Sequence, residues 1–135
     1  MRRSVLVVVV GAVLAAAACG NTAGAGGEDR TIAITMHYSA YDPSTIGVAP
    51  GETVRFVLTN TDPIDHEFIL GDAQVQRIHE KGTEAHHGAK PGEITIHAGE
   101  TVETTYTFPF DGEVLFGCHS PGHWDYGMRG VVVVG

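Results

Sequence analysis

From Thr31 to the end of the chain, apolar and polar residues alternate in short runs cut by clusters of Gly, Pro and Asp. Period-two alternation sends every second side chain to the same face of a strand, so each run offers one face to a core and the other to water. Thr31 to His37 (TIAITMH), Thr53 to Thr59 (TVRFVLT) and Thr101 to Phe108 (TVETTYTF) alternate most clearly. Further strands are expected at Ser44 to Val48, Glu67 to Leu70, Glu93 to His97, Glu113 to Gly117 and Gly130 to Val134. Short β-branched and aromatic runs with turn residues between them predict an all-β fold, a Greek-key β-sandwich of about eight strands. PGETV at Pro50 to Val54 is echoed by AGETV at Ala98 to Val102, which reads as shared turn chemistry rather than duplication. One stretch breaks the rhythm. Asp72 to Lys90 is too polar and too long for a hairpin loop, so it reads as an insertion in which Ala73 to His79 could form a short helix.

Near the C-terminus, in CHSPGHWDYGM, Cys118, His123 and Met128 follow one another with four residues between each pair. A thiolate, an imidazole and a thioether in one turn-rich stretch match a copper electron-transfer site, which takes two His, one Cys and a weak axial Met. The second imidazole must come from another strand end. His66 stands in TNTDPIDHEFIL, after a strand and a turn bearing Asp62 and Pro63 and just before the next strand, and is the best candidate. Taken singly, each residue has a plainer reading: Cys118 as a buried thiol, Met128 as core filler, His123 on the surface.

The chain has two cysteines, and its N-terminus reads as an export signal. Arg2 and Arg3 precede the apolar run Val5 to Ala18, which is shorter than the roughly twenty residues needed to span a bilayer and suits the core of a signal peptide. Residues 1–18 are therefore assigned to the signal. The segment ends in four alanines followed by Cys19 and Gly20, similar to the lipobox of bacterial lipoproteins, in which the cysteine carries the lipid; ordinary cleavage nearby is the alternative. Twin arginines also occur in a second export route, although the rest of that motif is not evident. Residues 19–30, Gly-rich and without periodicity, are expected to be a lipid-anchored flexible tether, and residues 31–135 the folded domain. An exported protein normally pairs its cysteines, so Cys118, left alone, reads as a ligated thiol. A Cys19–Cys118 disulfide is the competing structural reading. Loss of Arg2 and Arg3 takes the formal charge of −8 to about −10, which argues against nucleic acid as a partner.

With these residues on the page, Thr31 to Gly135 resembles the cupredoxins, the type 1 blue copper proteins. In that family one His lies mid-chain after an Asn-containing turn, here represented by Asn60 and His66, and a Cys, a His and a Met share a C-terminal loop. The loop spacing is similar to that of auracyanins, rusticyanin and plantacyanins rather than plastocyanin. The resemblance implies one type 1 copper ion held by His66, Cys118, His123 and Met128, with His123 as the port through which electrons pass. It implies a one-electron carrier and not an enzyme, a monomer docking weakly onto redox proteins, located at the outer face of the cell membrane through its lipid or in the periplasm. The alternative is a copper trafficking or storage protein that also uses the insertion.

Two departures from the family stand beside the ligands. Glu67 occupies a position where a small polar residue or Asn usually ties the ligand loops together; a carboxylate there would lower the reduction potential if buried and do little if exposed. His119 follows the Cys directly and reads as a surface or supporting residue, or, less expectedly, as a bridge to a second copper. Phe116, Trp124 and Tyr126 could keep water from the metal or simply pack. In the insertion, His79, His86 and His87 are candidates for a second metal site. A single helix would put His79 and His86 about 10 Å apart, too far to share an ion, and solvated loop residues are the plainer reading. His37 and His97 read as strand surface.

Overall fold

The computed structural model describes residues 30–82 and 90–135. The expected signal at residues 1–18, residues 19–29 of the expected tether, and His86 and His87 lie outside the described residues, whereas Arg30, expected to end the tether, opens the first strand. Among the described residues there are nine strands and one helix: β1 (Arg30–His37), β2 (Ala40–Asp42), β3 (Thr45–Val48), β4 (Thr53–Asn60), β5 (His66–Gly71), α1 (Ala73–Glu80), β6 (Glu93–Ile96), β7 (Thr101–Thr107), β8 (Gly112–Gly117) and β9 (Arg129–Val134). They form two sheets, ordered β2-β1-β4-β7 and β3-β9-β8-β5-β6. The first and second sheets are each mixed, because β1 runs parallel to β4 and β3 parallel to β9.

The expected alternation is what joins the sheets. Ile32, Ile34 and Met36 of β1 and Val54, Phe56 and Leu58 of β4 turn inward to meet Phe68, Leu70, Phe116, Val132 and Val134 from the facing sheet. Between the sheets, Phe68 packs against Phe56 at 5.4 Å and Tyr41 edge-on against Phe116 at 5.2 Å, spacings at which aromatic pairs attract beyond their buried area.

All eight expected strands are present within a residue or two of their predicted ends. The added strand is β2, three residues long. It follows a turn made by Tyr38 and Ser39, both at φ 52°, and a left-handed turn without Gly leaves little signal in a sequence. The two GETV echoes are alike in structure. Gly51 and Gly99 sit at φ 80° and 75°. Glu52 accepts a hydrogen bond from the Ala49 amide (2.7 Å) and Glu100 from the His97 amide (2.9 Å), so each glutamate closes the turn that launches β4 or β7.

Strand β5 is buried along its whole length. It lies between β8 and β6, and α1 covers its outer side: a Cβ on Gly71 would stand 2.6 Å from Val75 Cβ. The helix starts where Asp72 accepts the amides of Gln74 and Val75 at 2.8 and 2.9 Å, a side-chain cap for otherwise orphaned donors. The first half of the insertion is therefore a helix docked on the sheet. No helix among the described residues is long and apolar enough to cross a membrane.

Candidate metal centre

Two segments meet at one end of the sandwich: the start of β5, which carries His66, and the loop between β8 and β9, which carries Cys118, His123 and Met128. Backbone hydrogen bonds shape that loop. The Cys118 amide donates to the Met128 carbonyl (3.1 Å), the Met128 amide to the His123 carbonyl (2.9 Å), and the His123 amide to the Ser120 carbonyl (2.9 Å). Gly122 and Gly127, at φ 83° and 98°, supply the reversals that a side chain would oppose.

One potential ligand atom from each of His66, Cys118 and His123 lies within 4.8 Å of the others. The Cys118 sulfur is 3.3 Å from His123 Nδ1, and the two imidazole rings are 5.1 Å apart. Met128 is fully buried beside them. Cys118 is a free, buried thiol. Burial pushes it up from the ordinary thiol range, against the contrary pull of hydrogen bonds from Ser120 and the Glu67 amide. His123, partly exposed, is held below the ordinary imidazole value, first by burial and then by its neighbour His66.

The state of His66 follows from its partners. Its Nε2 is 2.8 Å from Asp62 Oδ2, and a carboxylate can only accept, so Nε2 carries the proton. Nδ1 is buried with no hydrogen-bond partner. A second proton there would be a buried donor without an acceptor, an expensive arrangement. A bare nitrogen lone pair beside a thiol sulfur and a second imidazole is a donor set that suits copper. The residues fit the metal that their spacing suggests.

Around the donors, hydrogen bonds join the two segments. The Glu67 amide points at the Cys118 sulfur (3.4 Å), and Glu67 Oε2 accepts the His119 amide (3.0 Å). Glu67 is 8% exposed, so the expected departure from the family is a buried carboxylate that ties the loops. Asn60, fully buried, donates from Nδ2 to the carbonyls of Ile64, Ile96 and His97 and accepts the Asp62 amide, fixing the turn that delivers His66.

His119 is half-buried and faces away from the cluster. It stacks on Trp124 at 4.9 Å and 15° and hydrogen-bonds through Nε2 to Gln76 Oε1 (2.8 Å). Gln76 is buried, and its amide donates to the carbonyls of Ile69 and Leu115. The helix of the insertion thus supports the residue next to Cys118, a link that no local pattern in the sequence announces. His79, the described member of the suspected second site, bonds the Val75 carbonyl (2.8 Å) and lies 3.5 Å from Glu93. Among the described residues, the His66, Cys118 and His123 cluster is the one group of three or more His, Cys, Asp or Glu with metal-binding proximity. Of the aromatics, Phe116 is in the core and Trp124 covers Gly117, but Tyr126 is 91% exposed and shields nothing. Its neighbours Asp125 and Gly127 are exposed as well, and Met128 is where the loop turns back inside.

The role of Asp62 is not evident from the sequence. An acid four residues before a candidate ligand histidine was the available signal, and only the fold shows that its carboxylate turns back to the ring.

Comparison with known proteins agrees with this architecture. The chain is 39% identical over 109 residues to the copper-resistant cuproprotein CopI of Rubrivivax gelatinosus, a match covering 78% of this chain and 66% of that protein. It is 30% identical to auracyanin-A of Chloroflexus aurantiacus across 99% of this chain and 97% of the relative. The structure superposes on dithionite-reduced auracyanin from Roseiflexus castenholzii with a TM-score of 0.66 and 25% identity, covering 81% of this chain and 99% of the other. The model of the copper-binding plastocyanin/azurin family matches residues 29–135. With its β-sandwich and its cluster of His66, Cys118 and His123 at one end, the chain is a cupredoxin, a member of the plastocyanin/azurin family of copper-binding proteins.

Proposed function

We propose that this cupredoxin is an exported, lipid-anchored carrier that passes single electrons between redox proteins and catalyses no reaction of its own. His66, Cys118 and His123 would hold one type 1 copper ion, with Met128 as the axial thioether. The observation that carries this reading is the buried, unpartnered Nδ1 of His66 beside the Cys118 and His123 donors.

Bound copper supplies a one-electron couple. The protein's part is to keep the donors still. His66 is fixed by Asp62 on a fully buried strand, Cys118 by the Glu67 amide and its own link to Met128, and His123 by the loop turns. Ligands held in place by surrounding structure need not rearrange when the metal changes charge, which keeps electron transfer fast. His123 is the donor with partial exposure, so its outer edge is where a partner would approach, through a small and short-lived interface.

The test is to add one equivalent of Cu(II) to purified apoprotein. An intense blue or green thiolate colour that cycles reversibly on reduction and oxidation is expected, and Cys118→Ser should abolish it. Colour that survives this substitution would mean the ligand assignment is wrong. A second reading, copper capture for trafficking, storage or resistance, is favoured by the relatives named as copper-resistant cuproproteins. This chain spans 66% of the first of those proteins and 51% of the third. Colourless binding, a preference for Cu(I) or uptake of more than one copper would favour this second role.

A further inference from the structure

We propose that Asp62 is the residue that positions His66 and biases the copper site toward Cu(II), through a buried carboxylate–imidazole pair. The inference rests on the type 1 reading above.

Asp62 is 7% exposed, and its carboxylate accepts three hydrogen bonds, with the exposed His37 ring nitrogen farther off, 3.7 Å from Oδ1. Oδ1 accepts the Tyr38 amide (2.8 Å); Oδ2 accepts both the Ser39 amide (2.8 Å) and His66 Nε2 (2.8 Å). The amides are aimed by the turn between β1 and β2, in which Tyr38 and Ser39 are both in the left-handed region. Successive amides in such a turn form a concavity that suits an anion. Non-Gly residues stay in that region only where the surroundings over-determine it, and Asp62 is what the two amides meet. The position of Asp62 is itself set by the bond from its amide to Asn60 Oδ1 (3.0 Å). A separate strand pair, a buried asparagine and a strained turn all converge on one carboxylate, and that carboxylate bonds one ring nitrogen.

Two consequences follow for the ring. Nε2 keeps its proton, so Nδ1 is the nitrogen that offers a lone pair to a metal. A full negative charge on the far side of the imidazole also makes the ring a stronger donor, as outer carboxylates do for metal-bound histidines generally. A stronger donor and a nearby buried anion both favour the more highly charged metal state. The effect is larger than that of an exposed acid, because water does not screen it. Asp65 provides the internal comparison. It is one residue from His66, but its carboxylate is exposed and turned to His97 and the Ala98 amide.

The experiment compares reduction potentials of the copper-loaded unaltered protein, Asp62→Asn and Asp65→Asn by redox titration of the thiolate colour. Asp62→Asn is expected to keep the colour and shift the Cu(II)/Cu(I) balance at least tenfold toward Cu(I), a rise of about 59 mV for a one-electron couple. Asp65→Asn is expected to move it less than about threefold. A coloured Asp62→Asn protein with an unchanged potential, or an equal shift from Asp65→Asn, would overturn the inference. If Asp62→Asn does not fold, the decisive measurement is the His66 tautomer in the unaltered apoprotein by nitrogen-15 NMR: a proton on Nε2 supports the positioning role and a proton on Nδ1 refutes it. Absence of thiolate colour in the unaltered protein would instead sink the type 1 reading, and the inference with it.

Discussion

Glu67 holds His119 by its backbone: Oε2 takes the His119 amide at 3.0 Å while the Glu67 amide points at the Cys118 sulfur, so one residue grips both sides of the thiol. Removing the carboxylate leaves a partly buried amide without an acceptor. Hydrogen bonds to charged groups contribute about 1.5–3 kcal/mol, and Glu67→Ala is expected to lose stability in that range by denaturant unfolding of the apoprotein. Glu67→Gln keeps an acceptor and should lose less. Equal losses for the two variants would show that the grip on His119 contributes nothing.

Asn60 satisfies three carbonyls and one amide from a site that water does not reach. Asn60→Ala should cost about 1–3 kcal/mol, the usual penalty for stranding buried polar groups. Asn60→Asp should cost more, because a carboxylate would face the carbonyl oxygens of Ile64, Ile96 and His97. Thermal unfolding of the three proteins gives the order, and a reversed order for Ala and Asp would contradict the bonding described.

Gly117 ends β8 under the indole of Trp124, where an added Cβ would lie 2.3 Å from the ring. The ring is stacked on His119 and has Arg129 over it at 5.4 Å, so it has little room to retreat. Gly117→Ala is expected to destabilise the apoprotein by about 1–3 kcal/mol, as overpacking does, and to move the fluorescence of the single tryptophan. Unchanged emission and stability would mean that the indole yields freely.

The pH response of one surface pair has a definite sign. Asp65 raises the His97 imidazole from its ordinary value of 6.5, through a 2.9 Å hydrogen bond and then through its charge. The folded value therefore exceeds the unfolded one. The pair's contribution is fully present below the unfolded value and is lost as pH rises through the higher folded value. An NMR titration of the His97 ring should show its midpoint falling in Asp65→Asn; an unmoved midpoint would remove Asp65 as the cause.

Much of this is legible in the amino-acid sequence. Alternation located β1, β4 and β7 because both sheets bury one face against the other, and a strand with one wet face must alternate. The proposed C-terminal ligands are legible because Cys118, His123 and Met128 share one loop. What escaped was carried by long-range placement. In β5 the run Phe68, Ile69 and Leu70 breaks the alternation because α1 covers its outer face, and periodicity does not say what covers it. Asp62 looked like a turn residue until Tyr38 and Ser39, more than twenty positions earlier, closed on its carboxylate. Gln76 appeared to belong to a polar insertion, although its side chain reaches β5, β8 and His119. Tyr126 fits neither expectation, shielding or packing, because sequence proximity to a site does not fix the direction of a side chain.

The unequal burial of the two segments that carry the proposed ligands makes the centre a clasp with one fixed jaw. His66 rides on β5, whose amides sit in the middle of a sheet beneath α1, and such amides exchange with solvent only when most of the domain opens. The other jaw is a loop whose Pro121, Gly122, Asp125, Tyr126 and Gly127 are at the surface. Metal would therefore enter and leave by movement of the loop, at a rate set by that local opening and not by global stability. Hydrogen exchange should find loop amides protected far less than those of β5, and a substitution that weakens the core without touching the loop should lower the unfolding temperature while leaving the rate of copper loss to a chelator nearly unchanged.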